Sequence, residues 1–496
     1  MNSNLLVFSL VLLAAAGPLL NGSWDLWAQS VVMLAGLAAG GLWLCGRLLA
    51  GSVPLPPSRL LAWTAFLAAW SGLSAYVGPL TAYSVPVWHV WLAALGAMLA
   101  VSVLPESARG RLNRAIRTGA WLLALWAIYQ HFSPAGPQRP YAGLLNQNIF
   151  AGAILLFLPL AAASGDWLLG AALVACLCWT HSVGAWLGLA AALLILAPRR
   201  GALWALAGAG AGAVGCALLF SKLGAADFLD RWRWWQAAAR MSLARPWLGF
   251  GPGSYAYVSP AYAAPASGLG TLFAHQHLLE TAAEQGWPFL LVWLAGLAAI
   301  LRQAPAARIA GPLAVLVLSL WDYSLSIPAV LWLFSCSAAL ALPTSGRLAK
   351  VGPRWRVPAC VAVLCLGAWA GTLLGRRWQA DRLRSRAEAM VRASGPVPAA
   401  LDLLGRSIRL CDHPEAERFA GLLEAALARQ GAEPGRLLAA AADLERSAAQ
   451  DPYRASTWSL LEGLYRELGR EDLARSARQR GAIHIGIIAP FERSAP

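Results

Sequence analysis

Residues 221–287 collect five cations and two histidines in one polar stretch of an otherwise apolar chain. Those residue types can hold an anion and move a proton. A guanidinium is planar, stays charged and can bind two phosphate oxygens at once, which makes Arg231 and Arg139 the candidate anion ligands. For Arg231 the competing reading is a surface cation beside tryptophans, reaching toward lipid headgroups. For Arg233, Arg240 and Arg245 that surface reading is preferred. A neutral histidine near physiological pH can accept a hydroxyl proton or aim the hydroxyl, so His275 is the candidate base, set against a helix-capping or interfacial role. His277 is read as structural. Glu280 and Glu284 lie one turn apart and share a helix face. Glu284 could orient His275 or an arginine, although a solvated or cation-paired face is the preferred account. Asp227 and Asp230 offset the positive charge around Arg231. Asn146 and Asn148 start a helix and could bind ligand hydroxyls, with capping preferred. Gly249, Gly251 and Gly253 follow no strand and are interrupted by Pro252, so a tight turn is expected rather than a phosphate loop. No His/Asp/Glu group has metal-ligand spacing, and no metal or cofactor is expected.

The elements that must position these residues are membrane helices. The chain of 496 residues is 58% hydrophobic and only 13% charged, with mean hydropathy +0.55, outside the balance of a soluble globular protein. Apolar runs fall at 5–20, 29–45, 60–77, 86–104, 118–132, 149–164, 167–180, 184–197, 202–220, 288–301, 309–322, 328–342 and 357–374. By the length rule they give an all-α polytopic bundle of about 12–13 transmembrane helices. A membrane barrel would alternate polar and apolar residues, and these runs do not. The first run lacks a basic leader and a clear cleavage site and is read as a retained helix. A short amphipathic helix after His275 is expected to end at Gly286 and Pro288. Seven of the eight cysteines lie in or beside apolar runs and only Cys411 in a polar region, so no disulfide or zinc framework is implied.

Cations in short loops are retained in the cytoplasm. Arg47 and Arg59, the Arg109–Arg117 group, Arg199 and Arg200, Arg302 and Arg308, and the Arg347–Arg356 group occupy alternate loops. The segments 21–28, 78–85, 133–147, 221–287 and 323–327 should then face outward. These loop arginines account for much of the net charge of +15, and nucleic-acid binding is not expected.

Residues 1–375 form the membrane domain and 376–496 a soluble helical one, where composition shifts to Ala, Arg, Glu and Leu. Gly435-Arg436 and Ala440 recur as Gly469-Arg470 and Ala474. Trp458, Leu461, Tyr465 and Ala474, with Pro452 ahead of them, hold the spacing of a tetratricopeptide repeat. Two or three degenerate helical hairpins are expected, on the same side as the 221–287 loop. Generic amphipathic helices are the alternative.

Several outward segments resemble the O-antigen ligase and O-antigen polymerase family, which includes bacterial protein O-oligosaccharyltransferases. Arg139-Pro-Tyr-Ala-Gly-Leu-Leu-Asn146-Gln-Asn148 is similar to its Arg/Gly/Asn-x-Asn segment, with Gln147 where Pro is common. Arg231-Trp-Arg-Trp-Trp and Pro246-Trp-Leu-Gly-Phe-Gly-Pro-Gly-Ser-Tyr255 are similar to its main loop. His275 to Gly286 is similar to its His-Asn-x-x-Leu…Glu-x-Gly element, with Gln276 in the Asn place and Glu284 in the Glu place. In Thr180-His-Ser-Val183-Gly, Val183 stands where the family carries Arg, so an anion contact of that kind is not expected here.

The resemblance implies transfer of a glycan from an undecaprenyl-pyrophosphate carrier to an acceptor hydroxyl on a glycolipid, glycan or protein, without metal or nucleotide sugar, at the bacterial inner membrane. It would give Arg231 and Arg139 the pyrophosphate, His275 the acceptor hydroxyl, and Asn146, Asn148 and Glu284 substrate contacts. Trp232, Trp234, Trp235 and Trp247 could stack on sugar rings. The large loop and the tail would be periplasmic, and the tail could recruit an envelope protein. Two other classes compete. A polysaccharide or inorganic-anion transporter would place its polar residues near mid-membrane rather than in an outer loop. A non-catalytic scaffold would make the tail essential while His275 and Arg231 were dispensable.

Overall fold

A computed structural model describes residues 3–221, 226–263, 271–344, 346–431 and 434–485. Among them, seven helices are long and apolar enough to cross a membrane: Leu26–Leu49, Ser58–Val77, Thr81–Ser102, Val183–Arg200, Ala202–Phe220, His277–Gln303 and Pro353–Arg392. Shorter apolar helices cover Asn4–Leu19, Gln147–Ala163, Trp167–Thr180, Arg308–Leu318 and Pro328–Leu340. The apolar run at 118–132 is the second half of the helix Glu106–Phe132. Every apolar run in the sequence therefore has a helix, as it must where lipid offers the backbone no hydrogen bonds.

The bundle is organised around Pro328–Leu340, all of whose residues are buried. It packs on Thr81–Ser102 and Gln147–Ala163, and the indole of Trp332 meets its need for an acceptor at Val90 O, 3.1 Å away. The last span is the opposite case. It leaves Val361, Leu364, Leu366 and Trp369 exposed, an apolar surface that suits lipid and not water.

The two ends of the bundle differ in chemistry. At one end the arginine-bearing loops are tied down: Ser52–Pro54 pairs antiparallel with Leu348–Lys350, buried Arg109 donates to Leu342 O at 2.5 Å, and Arg356 reaches Leu49 O at 3.3 Å. At the other end the segments poor in cations converge on the 221–287 stretch. Trp24 meets Phe273 edge-on at 5.6 Å, Tyr83 stacks on Tyr257 at 3.7 Å, and Asn146 bonds Tyr323 at 2.6 Å. The alternation of charge along the sequence thus corresponds to two physical ends.

Pro353–Arg392 carries the chain out of the apolar layer and into the tail without a break. Among the described residues five helices follow: Val397–Leu410, Pro414–Gly431, Pro434–Gln450, Ala455–Glu467 and Glu471–Ile485. Trp458, Leu461, Tyr465 and Ala474 share one buried cluster, and Trp458 Nε1 donates to Pro452 O at 2.8 Å. The tail docks on the same end as the 221–287 loop. Tyr83 OH lies 3.5 Å from Glu415 and 3.4 Å from Asp451, its ring meets His413 edge-on, and Tyr453 joins the cluster of Phe250, Tyr255 and Tyr262.

Three expectations are corrected. The large loop contains a long helix, Ala226–Ala244; the side chain of Asp227 lies outside the described residues. The run at 309–322 ends as helix at Leu318, after which 319–327 forms a loop that bonds the start of the His277–Gln303 helix. That helix does not stop at Gly286 but turns an elbow there, φ 81° and ψ 165°. Only glycine takes this conformation without strain. A Cβ on Gly286 would also sit 1.8 Å from Trp247 O.

Candidate active site

The elbow and the glycine turn are built for each other. Pro288 has no N–H to give back along the helix, which frees carbonyls on the preceding turn. Glu284 O instead accepts from Gly251 N at 2.7 Å and Ser74 Oγ at 3.1 Å, and Gln285 O accepts from Trp70 Nε1 at 3.1 Å. The Glu284 carboxylate takes Gly253 N at 2.8 Å and Tyr255 N at 2.9 Å. Gly249 sits so close that a Cβ would meet Glu284 O at 2.3 Å. The turn reading of Gly249, Gly251 and Gly253 therefore fits, and the anion its amides hold is the chain's own Glu284. Glu284 is buried, so the solvated or cation-paired face expected for it is corrected: both its carboxylate oxygens serve the turn.

Ahead of the elbow, Gln276 caps the helix by accepting from Leu279 N. His275 takes a left-handed backbone, φ 54°, which sends its ring away from the helix axis. The imidazole stacks on Trp234 at 4.9 Å and 24° and meets the edge of Tyr323 at 4.7 Å and 83°. Trp235 Nε1 holds the His275 carbonyl at 3.4 Å. Its Nδ1 is buried and has no hydrogen-bond partner. Burial first, and the nearby Arg231 cation second, push His275 down to about 3, so the ring is neutral at physiological pH.

Arg231 projects from the Ala226–Ala244 helix and donates through Nη1 to Trp321 O at 2.7 Å. That is its only side-chain hydrogen bond among the described residues, and a guanidinium carries five donors. Asp322, raised by burial, feels the same cation in the opposite sense; it accepts from Tyr323 N at 2.8 Å and Ser324 Oγ at 3.0 Å. Tyr323 joins the pieces. Its ring stacks on Phe273 at 4.2 Å, and its hydroxyl accepts from Asn146 Nδ2.

Asn146 is also a helix cap, its Oδ1 accepting from Asn148 N at 2.9 Å and Ile149 N at 3.1 Å. Asn148 contributes its backbone to this corner, with its carbonyl 3.5 Å from Ser324 Oγ. Arg139 is exposed and makes no hydrogen bond or ion pair among the described residues. Arg233 pairs with Asp230 at 3.2 Å, Arg240 bonds Tyr262 O at 3.1 Å, and Arg245 lies over Phe250 at 4.9 Å, so each is engaged by a neighbour within the chain. Of the four tryptophans, Trp234 and Trp235 are engaged with His275 while Trp232 and Trp247 are exposed.

Tyr323, Asp322 and Ser326 were not singled out from the sequence. Ser326 Oγ donates to Glu280 at 2.6 Å and lies 2.9 Å from His277 Nδ1. His277 is buried, and its backbone N–H reaches Ser319 O and Asp322 O, in line with a structural role. The hint available in the sequence was the loop's position: a short polar segment without cations on the same side as the candidate residues.

Residues 168–294 match the sequence profile of the family described as O-antigen ligase. The matched stretch includes Val183, Arg231, His275 and Glu284, and lies between Arg139 on one side and Tyr323 on the other. Among curated proteins none matches the chain. The profile match, with the apolar helices, supports a multi-pass membrane enzyme of the ligase and polymerase type in polysaccharide biosynthesis.

Proposed function

We propose that the chain is a glycosyltransferase of the bacterial inner membrane that moves a glycan from an undecaprenyl-pyrophosphate carrier to an acceptor hydroxyl, with the large loop and tail in the periplasm. The observation that carries this reading is the convergence of Arg231 and His275 at the loop-bearing end of the bundle, one with donors to spare and the other with an unpartnered ring nitrogen. In the reaction, the acceptor oxygen bonds the anomeric carbon as the bond from that carbon to the pyrophosphate oxygen breaks. The hydroxyl proton passes to His275, and the carrier pyrophosphate leaves with the negative charge, stabilised by Arg231. A histidine held near 3 is a weak base. Pyrophosphate beside Arg231 would offset the cation that depresses it and raise its basicity when donor is bound. Arg139, on the loop that Asn146 anchors to Tyr323, is the second proposed pyrophosphate contact. Neither metal nor cofactor enters the scheme. Asn146 and Asn148 act chiefly by shaping the corner, and Glu284 by holding the turn. The tail, read as degenerate tetratricopeptide-like hairpins, bears on acceptor or partner choice.

The test is the envelope glycan and lipid-carrier profile of cells lacking the gene, complemented with wild type, His275→Ala or Arg231→Ala at matched membrane levels. Both variants are expected to accumulate carrier-linked glycan and lose the mature conjugate, whose identity names the acceptor as glycolipid, glycan or protein. Full complementation by both would reject the reading and favour transport or scaffolding.

A further inference from the structure

Between the helical turns that precede the elbow and the tail lies a cavity of about 290 Å³, within reach of the sizes that hold small ligands. One wall belongs to the membrane domain and includes Glu280, Glu284, Gln285 and Ser326; the facing wall belongs to the tail side and includes Arg377, Asp381, Arg384 and His413. We propose that this cavity is a saccharide-binding site of which the tail forms one wall. The inference rests on the transferase reading and assigns its sugar subsite.

The lining decides the ligand class. Gln285 is 1% exposed, lines the cavity, and its Oε1 has no hydrogen-bond partner, so it awaits a donor. A carboxylate oxygen accepts about two hydrogen bonds. Each oxygen of Glu284 takes one backbone N–H, and those of Glu280 take Ala274 N and Ser326 Oγ, which leaves capacity for hydroxyl donors. Arg384 is fixed by Asp381 at 2.7 Å and Glu388 at 2.8 Å and faces the cavity as an oriented donor. Tyr257, stacked on Tyr83, and Phe273 add flat apolar faces.

The lining sets Glu280, Glu284 and Asp381 beside Arg377 and Arg384 and completes the wall with apolar Val87, Val90, Trp91 and Leu331, so neither a bare anion nor a wholly apolar chain matches all of it. A neutral polyol with apolar C–H faces satisfies both kinds of lining. The cavity also abuts the active site. Phe273 lines it and stacks on Tyr323, which meets His275 edge-on, so a sugar bound against Phe273 would lie two aromatic rings from the imidazole.

The saccharide could come from the carrier-linked donor or from the acceptor, and the experiment separates them. A photoreactive benzoylphenylalanine is placed in the full chain at Leu272 or Cys411, at the cavity, or at Leu438, an exposed position on the tail. Cells are irradiated and adducts on the protein are read by mass spectrometry. Sugar-bearing adducts are expected at Leu272 and Cys411 and not at Leu438. If they vanish in cells unable to make the carrier-linked glycan, the ligand is the donor saccharide; if they persist, it is the acceptor saccharide. Lipid-only adducts, or none, would overturn the proposal.

A second arm fills the space. Ala256→Trp, at a small lining residue, should lower conjugate formation by at least about tenfold at unchanged membrane level, while Leu438→Trp, at the exposed position on the tail, should not. Full activity of Ala256→Trp would also overturn the proposal. The transferase reading fails by a different result, conjugate formation by His275→Ala, so the two failures are distinguishable.

Discussion

His275 and His277 are two residues apart and occupy opposite situations. His277 is sealed: its Nδ1 meets Ser326 Oγ at 2.9 Å, its backbone N–H is held by Ser319 and Asp322 carbonyls, and its side chain is buried against Trp293. His275 is pinned by its carbonyl and by ring stacking, yet its Nδ1 has no partner. What separates them is the left-handed backbone at His275, which turns one ring toward Arg231 and leaves the other in the helix. The same contrast holds for the anion-handling groups. The amides of the glycine turn are occupied by Glu284, whereas Arg231 keeps free donors. A group whose bonds are all made holds structure, and one with bonds left open can act on a substrate.

The largest expected break of this contrast is loss of the open side. His275→Ala or Arg231→Ala should lower glycan transfer by about 10²–10⁴-fold with little change in thermal stability. Arg231→Lys keeps the charge but not the two-pronged geometry and should fall between wild type and alanine. Arg139→Ala should lose less than Arg231→Ala, because Arg139 is exposed and unengaged. If Arg139→Ala proves the more severe, the assignment of the main pyrophosphate contact to Arg231 is wrong.

Loss of the closed side should read out as stability. Glu284→Gln puts an amide N–H against one of the two backbone N–H groups it now satisfies, at a cost of about 1–3 kcal/mol, measured as a lower unfolding midpoint of the purified full chain. An unchanged midpoint would argue that the carboxylate is not the turn's anchor. Asn146→Ala removes the cap and the bond to Tyr323, and should cost about 1 kcal/mol together with a moderate drop in transfer.

The smallest effect is in pH dependence. The folded state holds His275 at about 3, below its ordinary 6.5, so folding favours the neutral ring. The stability this contributes is present above about 6.5 and is lost as pH falls toward 3. In kcat/KM, which reports the free enzyme, protonation of His275 should not produce an acid limb near 6.5. Arg231→Gln, which removes one cause of the depression, should raise the histidine's titration. A wild-type limb at 6.5 that disappears in His275→Ala would contradict the burial described for the ring.

The helices were readable because lipid leaves a spanning chain few options, and the two ends were readable because arginines mark one of them. Arg231 and His275 were readable as chemistry. Their shared neighbour was not. Asp322 looked like the end of an apolar run and Tyr323 like the start of a short outward loop, and only Ser319 turning its hydroxyl back to Val315 O and the loop after it bring them to the site. Glu280 and Glu284 have the spacing of a solvated face, and periodicity alone could not reveal that the glycine turn and the 319–327 loop enclose them. The glycines held the clue: Gly249 and Gly286 leave room for two backbones to touch. The cavity beside the elbow was beyond sequence reasoning altogether, because one of its walls lies in the tail.

The most direct test is a time course of carrier release by the purified full chain given carrier-linked glycan and the membrane extract of cells that lack the gene. Wild type should release undecaprenyl pyrophosphate in step with conjugate formation, and Arg231→Ala and His275→Ala, equally folded, should not. Release by either variant at the wild-type rate would contradict the assignment of the active site.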